Sequence, residues 1–211
     1  MSLHLAIDTA TARASLAVGT PRGVATLRVI EGRRDLSRAI ERVSAELLEA
    51  ADARARDLAG VVVADGPGSF TGLRIGVAFA KGVCRALGVP LLAVPSLMGA
   101  ARAALEGAGT VLAHYDALRG EAYRALYAFA ADGSVTVLEP PAIVASAALA
   151  APPGSHLASE REASAAALLK LVGVLGGALA LDDPSTWVPA YGRPAEAEAR
   201  LRERQSREPG A

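Results

Sequence analysis

Apolar residues alternate weakly from Leu3 to Ile7 and stop at Asp8, the pattern of a strand that ends in a polar turn. Two more strands are predicted over Ala14 to Val18 and Val24 to Ile30, with Gly19-Thr20-Pro21-Arg22-Gly23 turning the chain between them, so the opening segment reads as a three-stranded meander. The period then changes. From Leu36 to Ala51 the apolar positions Leu36, Ile40, Val43, Leu47, Leu48 and Ala51 recur at helical spacing, with Asp35 placed to cap and Arg42 four residues before Glu46. A buried strand, Ala59 to Ala64, empties through a glycine-rich turn into a helix from about Thr71 to Leu87, stopped by Gly88 and Pro90. A short strand Leu91 to Val94 and an alanine-rich helix beginning near Ser96 complete this half.

Beyond Gly107-Ala108-Gly109 the same grammar returns with less fidelity: strands Thr110 to Tyr115, Ala122 to Phe129 and Val135 to Leu138, then helical segments after Pro141 and from Ser159. Leu171 to Leu181 is too short for the roughly 20 residues of a membrane span and reads as a buried core helix. The order β-β-β-α-β-α-β-α is that of the ribonuclease H-like half of the actin-like ATPase fold. The expectation is therefore an α/β protein with two related subdomains, residues 1–107 and a smaller, degenerate copy over 108–193. A charged tail of mixed sign, 194–211, follows and is expected to fray over its last eight residues.

The helix from Thr71 to Leu87 has more apolar surface than one contact uses. Leu73, Val77, Ala80, Cys84 and Leu87 form a stripe suited to a sheet, while Gly72, Ile75, Gly76, Phe79 and Val83 form a second, an arc of roughly 200°, about twice what one buried face needs. Two readings follow. The small residues Gly72, Gly76 and Ala80 would let a partner's helix approach closely, which makes Gly72, Ile75, Gly76, Phe79, Ala80 and Val83 a subunit interface; alternatively the helix is sandwiched within its own chain by Leu36 to Ala51.

Composition narrows the chemistry. The 211 residues carry a formal net charge of zero, which argues against an autonomous nucleic-acid binder with a basic stripe. The single cysteine, Cys84, lies among helical apolar residues, so neither a disulfide framework nor a thiolate metal site is available, and a reducing cytoplasm fits. No charged region precedes the short apolar run before Asp8, so no secretory signal is expected. His4, His114 and His156 make no H-x-x-x-H pair, and neither Ser69 nor Ser96 sits in G-x-S-x-G. Asp8, Asp65 and Asp116 all follow strands and could hold magnesium for phosphodiester or nucleotide hydrolysis, or could simply end strands in turns. Asp8-Thr9-Ala10-Thr11 stands where actin-like ATPases place their first phosphate loop, but Ala10 replaces the glycine a phosphate would need. The Gly66 to Gly72 turn either cradles an anion through Gly66, Gly68, Ser69 and Thr71 or serves as a tight connection. It has neither the Lys-Ser/Thr of a P-loop nor the dinucleotide glycine spacing. Asp116 to Tyr123, with Arg119 and Glu121, is either a hairpin with a local ion pair or a polar loop at a cleft.

Taken together, Asp8-Thr9-x-Thr11, the Asp65 to Gly76 string, Val94-Pro95-Ser96-Leu97, Asp116-Ala117-x-Arg119-Gly120-Glu121-x-Tyr123 and Pro189-x-Tyr191-x-Arg193 resemble the signature of the TsaB (YeaZ) family. The chain departs from that pattern at Leu36-Ser37 and Leu118, and lacks a Gly-Asp-Gly turn around Gly154 to Glu160. The resemblance implies an actin-like fold without the metal-binding histidines of the paralogue TsaD. It implies an accessory subunit, not an enzyme, that binds TsaD through first-half helices and pairs with itself by a similar surface. With TsaD and the ATPase TsaE, such an assembly transfers a threonylcarbamoyl group from its adenylate to the adenosine beside the anticodon. The expected partners are then TsaD, TsaE, a second copy and tRNA only through the complex; no membrane is involved. No cofactor of its own is expected, beyond weak or shared ATP or ADP binding.

Overall fold

The structure, a computed structural model, describes residues 2–31 and 35–192. The first apolar run forms β1 (Leu3–Asp8), which sits mid-sheet because both its faces are apolar: Ala6 enters one core, Leu5 and Ile7 the other. It pairs antiparallel with β2 (Arg13–Thr20), which pairs with β3 (Gly23–Glu31), giving the expected meander. On its other side it runs parallel to β4 (Leu58–Ala64), itself parallel to β5 (Leu91–Val94). With β10 (Leu179–Ala180) beside β5, the order β10-β5-β4-β1-β2-β3 places the central strands' C-terminal ends at one edge, the arrangement of a ribonuclease H-like sheet within an actin-like fold.

Helices α1 (Leu36–Ala50) and α2 (Phe70–Leu87) cover one face of this sheet. Ile40, Val43 and Leu47 of α1 and Val77, Ala80 and Cys84 of α2 pack on Leu5, Ile7, Val61 and Val63. Arg42 and Glu46 meet at 2.5 Å as their spacing predicts. The Asp35 side chain makes no capping bond; its backbone carbonyl instead accepts from Arg38 and Ala39. Gly88 ends α2 with φ +67, the left-handed conformation a helix stop favours.

On the opposite face, α3 (Ser96–Ala104) and α4 (Ala165–Leu169) separate the first sheet from a second of order β8-β7-β6-β9. Its strands are β6 (Gly109–Leu118), β7 (Glu121–Phe129), β8 (Val135–Ala145) and β9 (His156–Ala158). One cluster runs through both sheets, from Ala6 and Val62 past Leu97 and Ala101 to Val111, Tyr127 and Leu168. Residues after 107 also return to the first sheet, where α4 packs on β1 and β2 and β10 (Leu179–Ala180) pairs with β5.

Two segments differ from expectation. The helix expected after Pro141 is strand: β8 runs through Pro140 and Pro141 to Ala145, with its register shifting opposite Ala125, and only a 3-10 turn, Ser146–Ala148, follows. At a sheet edge the missing proline N–H groups cost no ladder bond. The core helix expected over Leu171 to Leu181 is also absent. Leu171 and Val172 are buried, but Gly173 (φ +73) and Gly176 (φ +74) turn the chain into β10. Of the helix expected from Ser159, only α4 forms, capped by Ser164 Oγ accepting from the Ala166 amide at 3.3 Å. The charged tail and its expected fraying, with Arg193 of the closing motif, lie outside the described residues. No helix among the described residues is long and apolar enough to cross a membrane.

Candidate functional site

Because β1 and β4 are parallel, with Ile7 opposite Val63, Asp8 and Asp65 end neighbouring strands at one edge of the sheet. Asp8 is fully buried: its Oδ1 accepts from the Ala10 amide at 3.1 Å, and Oδ2 has no hydrogen-bond partner. Burial pushes its carboxyl from 3.8 up to about 6, the Ala10 amide pulling the other way. Asp65 is half-buried and likewise pushed up to about 6 by burial. From the second sheet Tyr115 and Tyr127 approach this edge. Tyr115 donates to the Ser96 carbonyl at 2.9 Å, while the buried Tyr127 hydroxyl has no partner. Burial raises both phenols, with Asp8 adding to the effect on Tyr115 and Asp65 on Tyr127. Neither tyrosine is marked by any motif; only the alternation along β6 and β7 aims them inward.

The glycine string proves to be a packing device between the chain's own turns. The Ser69 amide donates to the Ala10 carbonyl at 2.7 Å, and a side chain at Gly68 would overlap Ala10. Gly66 (φ +111) donates its amide to Ser96 Oγ at 2.9 Å, and a Cβ there would strike the Ala190 carbonyl. Ser69 caps α2 by accepting from the Gly72 amide at 3.2 Å; Thr71 is exposed on the first turn. Gly72 and Gly76 face inward. A Cβ on Gly72 would overlap the Thr9 carbonyl, and one on Gly76 the Thr9 hydroxyl, itself buried without a partner.

This corrects the basis of the expected interface. Gly72, Gly76 and Ala80 are buried within the chain, so their small size serves the approach of α2 to Thr9 and the sheet, not that of a partner's backbone. Ile75, Phe79 and Val83 are half-buried beside α1 and remain partly open to solvent. The carboxylate triad is not assembled either. Along β6 Tyr115 faces the core and Asp116 the solvent, where its Oδ1 accepts from the Leu118 amide at 2.8 Å. Among the described residues no three His, Cys, Asp or Glu side chains are grouped to hold a metal ion. Arg119 (φ +56) and Gly120 (φ +78) form the two-residue tip of the β6–β7 hairpin, with Glu121 half-buried at its base. A cavity of about 450 Å³ lined by His114, Leu157, Ser159, Glu160, Arg161 and Glu162 opens beside this strand and includes none of the expected site residues.

A family model described as TsaD: tRNA N6-adenosine threonylcarbamoyltransferase matches residues 31–174. The tRNA threonylcarbamoyladenosine biosynthesis protein TsaB of Bacillus subtilis is 42% identical over 83 residues, 39% of this chain and 36% of that protein. TsaB of Escherichia coli is 36% identical over 125 residues, 58% of this chain and 54% of that protein. The chain thus spans between a third and about half of the length of these two relatives. A solved structure of YeaZ from Pseudomonas aeruginosa superposes with a TM-score of 0.73 at 26% identity, covering 82% of this chain and 91% of the other.

Proposed function

Because the chain belongs to the TsaB/YeaZ family, we propose that it acts in forming threonylcarbamoyladenosine on tRNA as a noncatalytic partner subunit that binds TsaD. One observation carries the noncatalytic part. The two turns that would flank a phosphate in an actin-like ATPase are in contact, Ser69 to Ala10 at 2.7 Å, with Gly68 seated on Ala10. This contact supports the reading that the chain itself fills the space between the two turns. On this reading the protein is cytoplasmic, holds no cofactor of its own beyond ATP or ADP shared within the complex, and meets TsaE and tRNA in the assembly.

The proposed docking element is the outer flank of α2, with Ile75, Phe79 and Val83, used for TsaD and for a second copy of the chain alike. Gly72, Gly76 and Ala80 shape this helix from beneath. A reconstituted reaction with TsaD, TsaE, the synthetase that makes the adenylate and tRNA tests the reading. Phe79→Glu is expected to keep a cooperative thermal transition but to lose TsaD binding, self-association and tRNA modification, because an unpaired charge would be buried at the contact. Full modification with that variant, or with the chain omitted, overturns the proposal.

A further inference from the structure

We infer that residues 181–192 are a strap that closes over the turn between β4 and α2 and opens as a unit of its own while both sheets stay folded. The strap leaves the first sheet after β10 and forms neither helix nor strand from Leu181 onward. Leu181 and Trp187 pack half-buried on the cluster under α1 and α2, and Tyr191 on the cluster between the sheets; the strap's polar attachments are few. Leu181 donates its amide to the Leu91 carbonyl at 3.0 Å, and Ala190 donates to the Asp65 carbonyl at 2.7 Å. Lys81 Nζ donates to the Trp187 carbonyl at 2.6 Å and lies 5.6 Å from the indole centroid. The Tyr191 ring meets Phe70 at 4.6 Å.

Two glycines let the strap close. Gly66 leaves room for the Ala190 carbonyl, and Gly192 (φ +77) lies where a Cβ would stand 2.5 Å from Tyr123 Cε1 and 2.9 Å from Pro67 Cβ. The strap therefore touches α2, the glycine turn and the second sheet at once. Between these anchors it is wet: Asp182, Asp183, Ser185, Thr186 and Val188 are exposed, and Pro189 alone is buried. Single hydrogen bonds, one ring contact and one cation–π pair are each a small share of what holds a domain. Segments with few buried apolar contacts open locally, well before the core strands do.

Opening uncovers the half-buried Asp65 and lifts Trp187 from the apolar cluster on which Ile75, Phe79 and Val83 also pack. The strap is thus anchored on the β5 side of α2 through Phe70 and Lys81, whereas Ile75, Phe79 and Val83 lie on the opposite flank of that helix, beside α1.

Native-state hydrogen exchange on the full chain tests the strap, with Trp187, the sole tryptophan, as a second reporter. The Ala190 amide is expected to exchange at least about a hundredfold faster than those of Ala6 and Val62. Tyr191→Ala and Lys81→Ala are each expected to speed Ala190 exchange by about tenfold more and to red-shift Trp187 emission, leaving Ala6 and Val62 unchanged. Exchange of Ala190 at the core rate, or equal acceleration of strap and core by Tyr191→Ala, overturns the strap.

Discussion

Thr9 is the residue on which the glycine string converges, and its environment makes a quantitative prediction. A methyl on Gly76 would overlap the Thr9 hydroxyl, which has no hydrogen-bond partner. Gly76→Ala is expected to destabilise the fold by about 1–3 kcal/mol through overpacking. Thr9→Ala removes the obstructing hydroxyl, and the pair together should recover most of the loss in a urea-denaturation double-mutant cycle. Additive effects would mean that Gly76 is small for another reason. Asp8 sets a pH dependence. Its carboxyl is raised from 3.8 to about 6 by burial, so the folded state holds the proton more tightly than the unfolded chain. The stability this provides is complete below about pH 4 and is lost as pH rises through 6, a difference of about 3 kcal/mol. Asp65 shifts in the same direction. Thermal midpoints are therefore expected to fall from pH 5 to pH 7.5, and Asp8→Asn should flatten that slope and raise the midpoint at pH 7.5; an unchanged profile would refute it.

At the scale of elements, the connection from β4 to α2 is tied to the start of α3 by reciprocal bonds. The Gly66 amide donates to Ser96 Oγ at 2.9 Å, the Ser96 amide donates to the Gly66 carbonyl at 2.8 Å, and Tyr115 donates to the Ser96 carbonyl. Ser96→Ala leaves the Gly66 amide buried and unpaired and is expected to cost about 1–3 kcal/mol in chemical denaturation, whereas Ser69→Ala, a half-buried helix cap, should cost about 1 kcal/mol. Equal costs would mean that the Ser96 bond is compensated elsewhere. Helices and strands up to Ser96 were legible because each had a clear period and an identifiable stop, such as Gly88 after α2. In β8 that legibility fails. Pro140 and Pro141 look like a strand end in sequence, but an edge strand needs no N–H from them, and Glu139 just before them meets Arg124 of β7 at 2.6 Å.

At the scale of the whole molecule, the two sheets share one core through α3 and α4, and the chain as a whole carries no net charge. A surface without net positive charge gives little counterion release on RNA. The free chain at micromolar concentration is therefore expected not to shift tRNA in a gel at about 150 mM salt, and to join the RNA only once TsaD is added. A salt-sensitive shift by the chain alone would show a basic surface that total charge conceals.

The meander, the parallel strands β4 and β5, and helices α1 to α3 were determined by local sequence, because period, caps and turn residues act over a few neighbouring positions. So was the importance of the Asp65 to Gly76 string, though not its purpose. Tertiary structure alone decided that purpose, since a glycine is small for whichever group comes nearest, and here those groups are Thr9, Ala10 and Ala190, remote in sequence. It also decided that Asp116 turns away from Asp8 and Asp65, that Tyr115 and Tyr127 reach their edge, and that residues 179–192 return to the first sheet. Each of these depends on contacts between distant segments, which no local pattern encodes.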